Sequence, residues 1–126
     1  MSQINTTFER NGASYEFDFR DADDAAKYEA AVAALKEAEK NASKDGSASE
    51  MIKQHCSMLK TFFNVCLGDD AGDAVCGKKN NISECYEAYD EFLAFVSAQK
   101  DDVLRAKNVF AKYSNREQRR AVKKTK

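Results

Sequence analysis

The stretch Ile4-Asn5-Thr6-Thr7-Phe8-Glu9-Arg10-Asn11-Gly12-Ala13-Ser14-Tyr15-Glu16-Phe17-Asp18-Phe19 decides the fold class. Asn11-Gly12 is a strong hairpin signal, because a type I′ turn needs positive φ at both central residues and these two residue types tolerate it. On one side of the turn Ile4, Thr6 and Phe8 alternate with Asn5, Thr7 and Glu9. On the other, Tyr15, Phe17 and Phe19 alternate with Ser14, Glu16 and Asp18. Period two gives each strand a single apolar face. A lone hairpin is marginal in water, so that face must lie on helices.

Downstream the period changes to that of helices. Asp21 is placed to cap a first helix over 22–40, with Asp23 and Asp24 in its positive first turn. Its stripe of Tyr28, Val32, Leu35 and Ala38 is thin, and alanine supplies much of the rest. A polar linker follows. Ser47 and Glu50 then read as a capping box for a helix over 48–67, which carries the richest stripe in the chain: Ile52, Cys56, Leu59, Phe62, Phe63 and Cys66. Gly68 ends it. A short helix over 70–76 has Asp69, Asp70 and Asp73 as capping acids, and Asn81 and Glu84 start a last helix over 82–112. Phe62, Phe63, Phe92 and Val96 are the expected core between the second and last helices. The predicted class is α+β, mostly helical: an N-terminal hairpin (4–19) on a bundle of three to four helices. Together these form a single domain over 1–112, with a basic, flexible tail over 113–126.

The last helix poses a length problem. Continuous to Lys112 it spans about 45 Å, whereas a compact domain of this size is about 30–35 Å across. Its stripe thins after Val96 but continues as Val103, Ala106 and Phe110. Its last turns therefore either protrude or break and fold back.

With 126 residues and 43% apolar content the chain can build a real core without staples. No apolar run nears the ~20 residues that cross a bilayer. Met1-Ser2-Gln3-Ile4-Asn5 lacks the pattern of a signal peptide, which makes the cytoplasm the expected location. The cysteines at 56, 66, 76 and 85 are spaced too widely for paired zinc ligands and read as reduced, metal-free, buried small hydrophobes. His55, the one histidine, has no patterned nucleophile or orienting partner, and there is no phosphate loop or dinucleotide fingerprint. The acids around Gly68 lack the alternation of a calcium loop. The chain thus offers no catalytic, cofactor-binding or metal-binding residues, and a binding protein is expected rather than an enzyme.

Charge is unevenly placed. From Lys112 onward there are seven bases and the single acid Glu117, which leaves a net −7 on the remainder. Such a tail fits a solvated end, an acidic protein surface or nucleic acid. Without aromatics among the bases after Tyr113, no stacking platform for nucleic acid is visible.

Several segments, in order, resemble the tail assembly chaperones of long-tailed, siphovirus-type phages of Gram-positive bacteria. These are Tyr15-Glu16-Phe17-Asp18-Phe19 with Asp21-Ala22-Asp23, then Lys27-Tyr28-Glu29, Phe62-Phe63-Asn64 and Gly77-Lys78-Lys79-Asn80-Asn81. Cys85-Tyr86-Glu87-Ala88-Tyr89-Asp90-Glu91-Phe92 follows, and last Tyr113-Ser114-Asn115-Arg116-Glu117-Gln118-Arg119-Arg120. The ending lacks a proline that a common family form carries between Ser114 and Asn115, which leaves open where the last helix ends. The resemblance implies reversible binding of the tape-measure protein, which is kept soluble until the tail tube protein polymerises around it, in the cytoplasm of the bacterial host. It implies no cofactor and no membrane. Val103, Phe110, Tyr113, Arg116, Arg119 and Arg120 are the candidate partner-binding residues. Two other readings stand beside it: a small nucleic-acid-binding or regulatory protein using the basic tail, and a phage protein that binds and inhibits a host factor.

Overall fold

The computed structural model describes residues 4–124, and side chains as far as Lys112. Two strands, β1 (Thr7–Arg10) and β2 (Ala13–Glu16), are followed by α1 (Ala22–Asn41), α2 (Ala48–Leu67), α3 (Ala71–Cys76) and α4 (Ile82–Lys124). The architecture is α+β and mostly helical, with the hairpin laid on the helices.

Asn11 and Gly12 take φ of 53° and 79°, as the expected turn requires. Phe8 stands opposite Tyr15, and Thr7 opposite Glu16. The strands are shorter than the alternation suggests. One further bond, Phe17 N–H to Thr6 O at 2.8 Å, continues the pairing, and the chain then turns toward α1. Phe8 and Phe17 are buried, and both rings reach Phe92 of α4, at 5.1 and 5.4 Å between centroids.

The helix starts follow the sequence in two cases and depart from it in two. The Ser47 hydroxyl accepts from Glu50 N–H, and the Asn81 amide oxygen accepts from Glu84 N–H. Asp21 holds the cap position of α1 without a side-chain cap bond, and so does Asp70 for α3. At the hairpin-to-helix junction it is instead the Asp24 carboxylate that accepts from Asp18 N–H at 2.9 Å, tying the approach strand to the first turn. Asp73 pairs with Lys60 of α2 at 3.1 Å.

Small residues set how closely the helices approach. α1 buries Tyr28, Ala31 and Leu35, with the expected Val32 only half-buried. Residues 28, 31 and 35 form one line at helical spacing, and Val32 lies at its margin. Gly72 is required by contact: a Cβ there would lie 2.5 Å from the Lys60 carbonyl oxygen. The Asn64 amide oxygen accepts from Gly72 N–H at 2.7 Å, so α3 rests on the backbone of α2.

The core is one cluster. Phe62, Phe63, Phe92 and Val96 are all fully buried in it, as expected. The length problem of α4 resolves without a break. The helix runs 43 residues, about 65 Å at 1.5 Å per residue, and passes the expected end at Lys112 to reach Lys124. The backbone of the expected tail is thus helical as far as Lys124, because nothing in Tyr113 to Lys124 breaks a helix: there is no proline or glycine. No helix among the described residues is long and apolar enough to cross a membrane.

Phe92→Ala should therefore destabilise the protein by about 3–5 kcal/mol, and Phe62→Ala by a similar amount. Urea unfolding checks this. Losses below about 1 kcal/mol at both would show that α2 and α4 do not share this core.

Candidate functional site

α4 binds the core through Cys85, Ala88, Phe92, Val96 and Gln99, each fully buried at three- or four-residue spacing. The last of these is the one buried polar side chain in the described core, and all three of its hydrogen bonds go to the hairpin. Gln99 Oε1 accepts from Phe19 N–H at 2.6 Å. Its Nε2 donates to the carbonyls of Asn5 at 2.9 Å and Phe17 at 3.0 Å. One residue on, the Lys100 ammonium lies 4.7 Å from the Tyr28 ring centroid and 5.5 Å from that of Phe19. Arg20 bridges Asp18 at 2.8 Å and Asp102 at 3.3 Å. The chain leaving the hairpin therefore forms a collar around α4 at its last packed turn.

Beyond the collar every described residue, Val103 to Lys112, is exposed. Val103 and Phe110 are 38% and 73% exposed. By helical geometry they fall on the same face as Phe92 and Val96, so the core stripe continues where there is no core to receive it. Leu104 and Val109 are also exposed, and sequence reading missed them. They lie off the stripe, and only the removal of all neighbours at the collar makes them part of a surface. Gln99 was missed as well, because a glutamine at a core position carries no local sign that backbone groups 80 and 94 residues away will meet it. The candidate residues Tyr113, Arg116, Arg119 and Arg120 lie on the α4 backbone, with side chains outside the described ones.

The collar also divides the charge. Residues 1–102 hold eleven bases and twenty acids, whereas residues 103–126 hold nine bases and one acid. The arm is thus net +8 and the body net −9. Within the body, Arg10 gathers three acids of α4: it bridges Glu84 at 2.9 Å and Glu87 at 3.6 Å, pairs with Glu91, and donates to the Val75 carbonyl at 2.9 Å.

The cysteines are built into the packing, whereas the histidine lies at the surface. His55 Nδ1 and the Tyr86 hydroxyl share a hydrogen bond of 2.9 Å, which ties α2 to α4. All four cysteines are buried and free. Burial pushes the Cys56 thiol up to about 11 and that of Cys66 up to about 12, with Cys76 and Cys85 shifted the same way. Such thiols stay protonated at neutral pH and are poor nucleophiles. Among the described residues no three His, Cys, Asp or Glu side chains converge as a metal site.

A family model described as a family of unknown function (DUF6673) matches residues 11–123. The chain belongs to this family. The DUF6673 match takes in the second strand, the four helices and almost all of the arm, so the arm belongs to the shared region along with the core. None of the curated proteins and none of the solved structures matches the chain.

Two outcomes follow for this DUF6673 protein. Gln99→Leu leaves one buried and two part-buried backbone groups without their partner and should cost about 1–3 kcal/mol in thermal or urea unfolding; a cost near zero would mean that water replaces the amide. The thiols give a pH dependence. Their folded pKa is raised, so their contribution is fully present below about 9 and is lost as pH rises toward about 11 to 12. The urea midpoint should fall between pH 8 and about 10.5, and less so in Cys66→Ala. An equal fall in that variant would remove the thiol from the account.

Proposed function

We propose that this protein is a phage tail assembly chaperone, a non-catalytic binder that holds the tape-measure protein soluble until the tail tube protein assembles around it. The observation that carries the reading is the arm of α4, on which Val103 and Phe110 prolong a core stripe into solvent. A globular chain leaves such a stripe uncovered at a cost in solubility, and the usual compensation is a partner. The tape-measure protein, a very long helical chain, suits this surface: helix against helix uses anchors at three-, four- and seven-residue intervals, and Val103 and Phe110 are seven apart. Reversible holding needs no nucleophile or metal, and the buried, protonated thiols suit such a role. The order of the motifs, from Tyr15-Glu16-Phe17-Asp18-Phe19 to Asn115-Arg116-Glu117-Gln118-Arg119-Arg120, adds to the case. The site of action is then the cytoplasm of the bacterial host.

The test is co-expression with the tape-measure protein of the same phage. The soluble fraction of the client should rise and a complex should be recovered. Phe110→Ala should weaken that complex by roughly 2 kcal/mol, about thirtyfold, as removal of an interface anchor does. Moderate salt should leave it largely intact, since exposed ion pairs contribute under about 1 kcal/mol each. A tight complex with DNA or RNA that dissolves steeply with salt, together with an insoluble tape-measure protein, would overturn the reading in favour of nucleic-acid binding. Capture of a host enzyme with loss of its activity, again with an insoluble client, would favour a host-factor inhibitor.

A further inference from the structure

The arm's stripe has a counterpart on the body. Met51, Met58 and Val65 lie seven apart on one face of α2. Met51 is 48% and Val65 40% exposed, and Met58 is half-buried. Beside Met58 and Val65 runs an apolar cleft whose other wall is Ala31, Ala34 and Leu35 of α1. Its volume of about 240 Å³ falls below the roughly 300–1,000 Å³ of small-molecule sites, so it suits a side chain better than a ligand. The alanines of α1 let a third helix come close, and methionines adapt to the shape of what they meet. Val103 and Phe110 on the arm repeat at the same seven-residue interval. Matched seven-residue repeats let two helices meet along a seam.

Charge favours the same pairing. The stretch from Val103 to Lys112 carries Arg105, Lys107 and Lys112, all exposed, and no acid. Toward the α1–α2 linker the groove continues from Met58 past Met51, where Glu39 and Asp45 line it with a single lysine, Lys44. The Glu50 carboxylate lies beside Gly46 at the same end. Two arms laid together would instead set base against base. Nor does an arm reach its own groove. α1 starts at Ala22, just after the collar residue Arg20, and α4 runs unbroken from the collar away to Lys124.

We propose that the arm of one copy lies in the α1–α2 groove of a second copy, with Phe110 in the cleft beside Met58 and Val103 against Met51. Arg105 and Lys107, which fall between the two anchors, then come closest to the acids at the linker end. The apolar seam provides the contact area, and the charges set its direction and disfavour arm-to-arm pairing. This uses the arm surface of the proposed function but does not depend on the identity of the client.

The experiment is sedimentation of the full chain from about 5 to about 200 µM, at about 150 mM salt. The mean mass should rise with concentration above that of a single chain. Phe110→Ala removes the anchor and should weaken association by roughly tenfold. The pair Met51→Asp and Val65→Asp spoils the groove and should weaken it by at least as much. Arg105→Glu with Lys107→Glu should weaken it by roughly tenfold at low salt and by less at about 0.5 M. All of these residues are exposed, so circular dichroism of the variants should match that of the parent chain. The decisive sample is a mixture. The Phe110→Ala chain keeps an intact groove, and the Met51→Asp, Val65→Asp chain keeps an intact arm. Each alone should stay a single chain, and together they should form a one-to-one complex.

A chain that keeps the mass of one copy at about 200 µM overturns the proposal and leaves the groove to another protein. Association that Phe110→Ala does not weaken overturns it too. So does a mixture that forms no complex, since arm-to-arm or groove-to-groove contact predicts that result. The outcomes separate from those of the functional reading. Self-association with an insoluble tape-measure protein would sink the chaperone role and keep the arm-in-groove contact. A soluble client with a chain that never associates would do the reverse.

Discussion

Phe92 is fully buried, and its ring lies within 6.5 Å of six others. Phe8 and Phe17 come from the hairpin and its exit, Tyr28 from α1, Phe62 and Phe63 from α2, and Phe95 from α4 itself. No other ring gathers so many segments. Most of these neighbours meet it edge to face or tilted, the arrangement aromatic quadrupoles favour. The hairpin has only two strands and α1 has a thin stripe, so neither element holds its shape without this ring. The requirement that one face of α4 fill the space between hairpin, α1 and α2 fixes where α4 lies, and with it where the helix must leave the body.

That exit is built from polar groups. Gln99 satisfies three backbone groups of the hairpin from a fully buried position, and a buried amide is tolerated only when its bonds are made. Arg20 with Asp18 and Asp102, and Lys100 over Phe19 and Tyr28, surround it on the solvent side. The packing of Phe92 fixes the axial position of α4, and the bonds of Gln99 to particular carbonyls hold the same register, so packing and polar groups together set the length of helix left outside the core.

The charge pattern acquires meaning from this division. The net charge of −1 suggests an unremarkable surface. Split at the collar, the chain is an acidic body joined to a basic arm, which supports solubility of each part and disfavours contact between arms. Val103 and Phe110 thus stand exposed on a helix whose sequence is strongly basic.

The sequence by itself determined the hairpin, because Asn11-Gly12 leaves the backbone one favoured turn, and it determined α2 and the packed half of α4, because large apolar residues at helical spacing have only one face to bury. It also determined the family. Tertiary structure alone decided the rest. Asp21 and Asp70 occupy cap positions without capping, because cap geometry depends on how the preceding chain approaches, and at α1 it is the Asp24 carboxylate that the approaching strand meets. Gln99 looks like any surface glutamine until the hairpin brings three backbone groups to it. Val103 and Phe110 read as the continuation of a core stripe in either case; whether that stripe is covered depends on how many residues of α4 the other elements can span. A local pattern encodes which face of a helix is apolar, but how far a neighbour reaches along that face is settled only when the whole chain has packed.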